Sequence, residues 1–222
     1  HRDLHSFPTR RSSDLLFALM KKTFKLDDSW FEKPRNPGLE EVADTVPCKL
    51  DNKHMEAFVN IVGKENVHTD TYNRLRVAYG KTMLDLLRLR EKIAENIPDV
   101  VVWPRSREDL RFIVDYCEDN NIPVYIYGGG SSVTRGVEAV RGGVTLDMRV
   151  HLNKVLAFDE KNHTITVDSG MSGPQHEDIL RNAPLKLGAK TAYTAGHLPQ
   201  SFESSEVGGR IETRGAVQNS TY

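Results

Sequence analysis

Hydrophobic and polar positions alternate along this chain with two different periods. From residue 71 to residue 97, Leu75, Tyr79, Met83, Leu86, Ile93 and Ile97 recur at helical spacing while Arg and Lys crowd the opposite side. This predicts an amphipathic helix, or two broken at Gly80, ended by Pro98. A shorter helix is predicted over residues 53–62, where Met55, Phe58 and Val62 share a face. The remainder of residues 16–69 carries Pro34, Pro37 and Pro47 and is expected to be loop. Residues 99–103 form a short apolar run stopped by Pro104, which reads as a strand. Ser106 and Asp109 then offer a variant capping box, followed by Leu110, Ile113, Val114 and Cys117 at helical spacing. Asn120, Asn121 and Pro123 end that helix, and residues 124–127 read as a second strand, completing a βαβ-like unit. Further on, residues 144–146 predict a strand, and residues 155–158 and 164–167 predict a hairpin around the polar turn 159–163. A helix is expected to start at Pro174 and run to residue 181. Beyond it the chain is rich in Gly, Ser and Thr.

Composition narrows the classes. The chain has 222 residues, a formal net charge of −1 and 38% hydrophobic residues, enough for a buried core. A balanced charge argues against nucleic acid as a partner, because phosphate neutralisation needs a basic excess. Two cysteines, Cys48 and Cys117, are too few for a disulfide framework or a zinc site and read as reduced thiols, with Cys117 in the core. No apolar run approaches the roughly 20 residues of a membrane helix. A soluble protein of a cytoplasm-like compartment is expected.

The opening HRDLHSFPTRRSSDL has no hydrophobic period, and Pro8 and Ser12-Ser13 are expected to break any helix. It is also the in-frame translation of a common short-read sequencing adapter, so residues 1–15 are expected to be an artefact. Without them, the apolar run at residues 15–20 has no charged region before it and is too short for a secretory core.

The candidate chemistry starts at Gly128-Gly129-Gly130-Ser131-Ser132, directly after a predicted strand. Three glycines let backbone N–H groups converge, two hydroxyls add donors, and no side chain blocks an approaching phosphate. The dinucleotide fingerprint fails for want of its last glycine, and no Gly-Lys-Ser/Thr run exists for a nucleotide P-loop. Taken alone, the loop is a phosphate cradle or a plain tight turn. The histidines lack metal-ligand spacing; His163 and His176 are expected to be exposed, and His197 is a candidate ligand contact in a Gly- and Ser-rich stretch. Arg214, between Thr213 and Gly215, could meet an anion. No Gly-x-Ser-x-Gly elbow announces a hydrolase.

The combination is more specific than its parts. Arg76-Val77-Ala78-Tyr79-Gly80, Leu87-Arg88-Leu89-Arg90, Ile97-Pro98-Asp99, Trp103-Pro104, Gly128 to Val133, Gly170-Met171-Ser172-Gly173, Gly196 to Gly209 and Thr213-Arg214 occur in one order. This series resembles the FAD-binding domain of the p-cresol methylhydroxylase (vanillyl-alcohol oxidase) superfamily, and within it is most similar to the alkylglycerone-phosphate synthase family. The likeness covers residues 74–222, about two-thirds of the chain. Departures from the family's second flavin segment are Gln200 for an aspartate, Ser204 for a phenylalanine, Glu206 for a threonine, Arg210 for a tryptophan and Gly215 for an alanine.

The resemblance implies an α+β fold: a domain of two α/β subdomains over residues 98–222, the second incomplete, preceded by a loop and helical region over residues 16–97. It implies FAD held by Ile126, Tyr127, Gly128, Gly129, Gly130, Ser131 and Ser132, by Gln200, Ser201, Phe202, Glu203, Ser204, Ser205 and Glu206, and by Thr213, Arg214, Gly215 and Ala216. Because the stretch near the glycine loop has no histidine, non-covalent FAD is expected. The implied reaction is a redox-neutral exchange of an acyl for a fatty alkyl group on acyl-dihydroxyacetone phosphate, with the acid/base tyrosine and a histidine-rich segment in a later domain. No catalytic residue is therefore assigned to this chain. The alternatives are an FAD-dependent oxidase or dehydrogenase of a 2-hydroxy acid and, in another class, a non-enzymatic nucleotide- or anion-binding module. A small-molecule or lipid substrate, a homodimer, and peripheral membrane contact through the later part are the partners in view. A eukaryotic source would shift the expected compartment to the peroxisome.

Overall fold

A computed structural model describes residues 10–32, 46–196, 198–199 and 201–214, and the chain divides into two units, residues 1–41 and 42–222. In the first unit, α1 (Arg10–Phe24) and α2 (Ser29–Glu32) are helical. Helix α1 runs through Ser12-Ser13 and continues beyond residue 16, where a break and then loop were expected. The apolar residues Leu15, Leu16, Phe17 and Leu19 lie within it, and two serines cost too little helix propensity to interrupt such a run.

The elements of the second unit start with α3 (Asn52–Val62), a short 3₁₀ turn (Lys64–Asn66) and strand β1 (Val67–His68). Met55, Phe58 and Val62 put α3 on the core as its spacing predicts, with Phe58 and Val62 fully buried. The next stretch is two helices, α4 (Thr71–Arg76) and α5 (Met83–Arg90), separated around Gly80. Asp70 caps α4, and Thr82 and Asp85 form a reciprocal capping box on α5. Here the expected face is wrong in part. Met83, Leu86 and Ile93 are exposed, whereas Asp85 is fully buried. The capping box holds the Asp85 carboxylate over the Thr82 N–H, and α5 packs on the rest of the fold with that side inward.

Strand β2 (Val100–Val102), α6 (Arg107–Asp119) and β3 (Val124–Tyr127) follow as expected. Ser106 accepts the Asp109 N–H at 3.1 Å, while the Asp109 carboxylate accepts from the Arg105 N–H rather than closing a reciprocal box. Strand β4 (Val144–Asp147) inserts between β2 and β3, so the sheet runs β1-β2-β4-β3. The two outer members of the βαβ-like unit therefore pair with β4, each in parallel, and not with each other. β1 joins antiparallel at the edge. All four residues of β4 are buried, and Val100, Val102, Ile113, Val144 and Leu146 form the centre of the core with Cys117. Burying one such aliphatic side chain contributes about 1.5–3 kcal/mol. Burial pushes the Cys117 thiol up to about 11, consistent with a packed, unreactive cysteine.

β5 (Val155–Asp159) and β6 (Thr164–Val167) form the expected antiparallel hairpin. α7 (Gly173–Arg181) is capped by Ser172 and carries Pro174 in its first turn, and the short α8 (Ala183–Lys186) follows. His163 is exposed in the hairpin turn as expected, but His176 on α7 is half-buried and its Nε2 is buried with no hydrogen-bond partner among the described residues. After a 3₁₀ turn (Phe202–Ser204), α9 (Val207–Glu212) ends the described chain.

Candidate cofactor site

The parallel strands carry the site on their carboxyl ends, where open α/β sheets generally place ligands. Gly128 follows β3 directly and Met148 follows β4. Gly130 has φ +69, a conformation that favours glycine, and a Cβ there would collide with the Tyr127 hydroxyl. Tyr127 is thus a buried support beneath the loop, with the Arg149 guanidinium 5.0 Å from its ring centre. From the other side, the Ser132 carbonyl accepts the Lys81 N–H at 2.9 Å and packs onto Gly80, which leaves no room for a Cβ at that glycine. The region before the domain therefore buttresses the glycine loop.

A second segment closes over it. A Cβ at Gly129 would collide with the Ser204 carbonyl, and one at Gly128 with the Glu206 carboxylate. The second segment is held in turn by the Ser169 to Gly173 stretch. Gly173 N–H donates to Ser205 O at 3.1 Å, Val207 N–H to Met171 O at 3.0 Å and Gly208 N–H to Ser169 O at 2.9 Å. That is the work of the Gly170-Met171-Ser172-Gly173 motif: it docks the second segment against the first.

Between the two lies a cleft of about 1400 Å³. Of the residues expected to hold the cofactor, Ile126, Gly128, Gly129, Gly130, Ser131, Ser132, Ser201, Ser205, Glu206 and Thr213 line it. Tyr127 and Ser204 act from behind, through the contacts given above. Phe202 is half-buried and stacks on the Arg210 guanidinium, 5.5 Å from its ring centre; Glu203 is exposed and away from the cleft. Arg214 is exposed, at φ +48, and does not line the cleft. Gln200, Gly215, Ala216 and His197 lie outside the described residues. Sequence reasoning missed Val137, Met148, Ser169 and Arg210 as lining residues and Gly80 as a support. Of these, Arg210 carried a signal as a departure from the motif and Gly80 as the end of the Arg76 to Gly80 motif.

The electrostatics are unusual for an anion cradle. Glu206 is buried, and desolvation pushes its carboxyl up to about 7 against the opposing pull of Arg149, the Gly129 N–H and Arg210. Arg210 donates to Ser205 Oγ at 3.1 Å, while its Nη2 is buried with no partner among the described residues. Burial holds the Arg210 guanidinium below its ordinary value, with Glu206 opposing. The His176 imidazole is likewise lowered, by burial first and then by Arg210. Deeper still, Asp147 is fully buried between two arginines, 2.8 Å from Arg76 and 2.7 Å from Arg149.

These residues fit a flavin dinucleotide. The loop offers amides at close approach with no Cβ in the way, Ser131, Ser132, Ser201 and Ser205 line the same cleft, and the cleft exceeds the roughly 300–1,000 Å³ of an ordinary ligand pocket. Residues 98–222 match the FAD binding domain family, more than half of the chain, and the chain belongs to that family. FAD is its cofactor. Over 91% of its length the chain is 28% identical to alkyldihydroxyacetonephosphate synthase of Trypanosoma brucei brucei, covering 33% of that protein. A solved alkyldihydroxyacetonephosphate synthase structure superposes on 90% of this chain and 35% of its own, with a TM-score of 0.74 at 27% identity. The glycolate oxidase subunit GlcD of Bacillus subtilis is 27% identical over 75% of the chain and 32% of that protein. The chain thus spans about a third of the length of the relatives it matches. The fold is that of an FAD-binding domain with mixed helix and sheet, as the sequence motifs imply.

Proposed function

We propose that the full-length protein is an alkyldihydroxyacetonephosphate synthase: a flavoenzyme exchanging the acyl group of acyl-dihydroxyacetone phosphate for a fatty alkyl group. The observation that carries this reading is the reach of the likeness. It extends over 91% of the chain, against 75% for the glycolate oxidase, and a solved synthase superposes on 90% of the chain, helices preceding the FAD domain included, with a TM-score of 0.74. Gly80 and Lys81, in that preceding region, are what brace the glycine loop.

In this reading, residues 16–222 bind and orient. The Gly128 to Ser132 amides and hydroxyls hold the diphosphate, and the second segment closes over it and excludes water. Tyr127 and Gly80 fix the loop so that the cofactor meets a preformed surface. FAD, when bound, supplies an electrophilic ring able to hold the substrate carbon while one substituent leaves and another arrives. The groups that move protons in the exchange belong to parts of the protein beyond residue 222.

The test is an incubation of full-length protein with acyl-dihydroxyacetone phosphate and a long-chain alcohol. Formation of the alkyl product with release of fatty acid, and no reduction of an added dye, is expected. A second reading, a 2-hydroxy acid oxidase, has the glycolate oxidase likeness in its favour; dye reduction by glycolate or D-lactate without alkyl exchange would establish it instead. The flavin is held non-covalently, so acid precipitation should leave the yellow colour in the supernatant. Colour retained in the pellet would contradict that.

A further inference from the structure

The flavin reading of the cleft leaves one residue unexplained: Glu206. The residue is 4% exposed, and its carboxyl abuts Gly128 and faces the Gly129 N–H, which places an acid against the amides assigned to a diphosphate. An ionised carboxylate there would repel the cofactor and occupy its donor. Its backbone is pinned, since Glu206 bridges to Ser172 and its carbonyl accepts the Arg210 N–H at 3.1 Å, so only a rotation of the buried side chain itself could take the carboxyl aside.

Given a flavin in this cleft, we propose that Glu206 enters the bound state as a neutral carboxyl that donates its proton to the cofactor diphosphate, so that binding FAD takes up one proton from solvent. A neutral carboxyl turns the clash into a hydrogen bond, since it gains the O–H donor that the ionised form lacks. The groups that face Glu206 permit this. Arg149 and Arg210 favour the charged form and Asp147 opposes it, while the Tyr127 phenol, raised by burial, stays neutral; burial outweighs the two cations. The carboxyl already stands near 7 before a diphosphate approaches. A bound dianion adds like charge at close range and raises it further, because like charges disfavour ionisation. Glu206 and Arg210 are also two of the departures from the flavin motif noted in the sequence, and they interact. The cation partly balances the acid in the flavin-free cleft, and its Nη2, without a partner among the described residues, is on hand for the anion on binding.

Linkage fixes the sign. A group whose ionisation is suppressed by the ligand weakens binding as pH rises past its flavin-free value. Flavin-loaded full-length protein, dialysed to equilibrium against FAD between pH 6 and 8.5, should show a dissociation constant that is level near pH 6. Above pH 7.5 it should rise by close to tenfold per pH unit. Glu206→Gln, which keeps the shape and a donor but cannot ionise, should bind with a level profile throughout. If that variant fails to fold, titration calorimetry of the unaltered protein at pH 8 in buffers of different ionisation enthalpy decides. Uptake of nearly one proton per FAD supports the proposal, and none overturns it. A level profile in the unaltered protein, or an undiminished slope in Glu206→Gln, also overturns it while leaving the flavin site intact. Failure to retain FAD at any pH would bring down the flavin reading itself, and the role of Glu206 with it.

Discussion

Replacing Gly129 with alanine is expected to lower FAD affinity about 10- to 100-fold and to lower the melting temperature as well. The added Cβ would meet the Ser204 carbonyl group, with the Ser205 nitrogen 3.1 Å away. These are backbone atoms, so no side chain can swing aside. Overpacking of this kind costs about 1–3 kcal/mol, and about 1.4 kcal/mol corresponds to a tenfold change in affinity. The strain falls on the contact between the two segments that together form the cleft, which is why a substitution without charge reaches the cofactor. Gly209→Ala on α9 is the comparison. Nothing lies within 4 Å of its added methyl group, and alanine favours a helix interior, so that variant should melt no lower than wild type. Flavin fluorescence titration and thermal melts read both effects. Unchanged FAD affinity in Gly129→Ala would show that the loop and the second segment do not act as one site.

The second large effect belongs to the region behind the site. Glu138 is 2% exposed and accepts from Arg88 at 2.9 Å, Asn96 at 2.8 Å and Arg135. Its bonds to Arg135, then to Asn96 and Arg88, outweigh burial and hold the carboxyl at about 2. Glu138→Gln leaves the largely buried Arg88 without its strongest partner, and a loss of about 2–3 kcal/mol is expected. Part of the full value for a buried pair is discounted because Arg135 is substantially exposed. In a domain of this size each kcal/mol moves the melting temperature by about 2–4 °C, so a fall of about 5–10 °C should be seen at neutral pH. A carboxyl depressed in the folded state contributes stability above its ordinary value of 4.5 and loses it as pH falls toward 2. The gap between wild type and variant should therefore narrow over that acid range. A gap that stayed constant from pH 6 down to pH 3 would show that the ionic contacts contribute nothing to stability.

Where structure follows from neighbours in sequence, the chain could be read directly. Ser106 and the apolar spacing after it define α6, and the alternation of Thr164 to Val167 defines one strand of the hairpin, because capping and periodicity act over a few residues. Where structure depends on distant partners, the reading failed. The insertion of β4 between β2 and β3 is a matter of pairing across 44 and 20 residues, invisible to local pattern. The burial of Asp85 in place of neighbouring leucines follows from how α5 sits on the rest of the fold. At the candidate site, the glycine loop's place on the cleft was legible because glycines directly after a strand leave the backbone open to close approach. Arg214 looked suited to an anion yet stays exposed, while Arg210, four residues earlier, reaches the cleft. Glu206 was legible only as a mismatch. Its character comes first from burial, then from Arg149 and Asp147, nearly sixty residues away in the chain, and from the Gly129 amide.

In the reading proposed above, the Gly128 to Ser132 loop and the second segment hold a flavin by its diphosphate. Parallel titrations of flavin-stripped full-length protein with FAD and with riboflavin, which has the same ring and no phosphate, test it most directly. Hydrogen bonds to a charged group are each worth about 1.5–3 kcal/mol, so even two of them amount to about 100-fold or more in affinity. FAD is therefore predicted to bind at least about 100-fold more tightly than riboflavin. Equal affinities for the two would contradict the account, because the glycine loop would then contribute nothing to holding the cofactor.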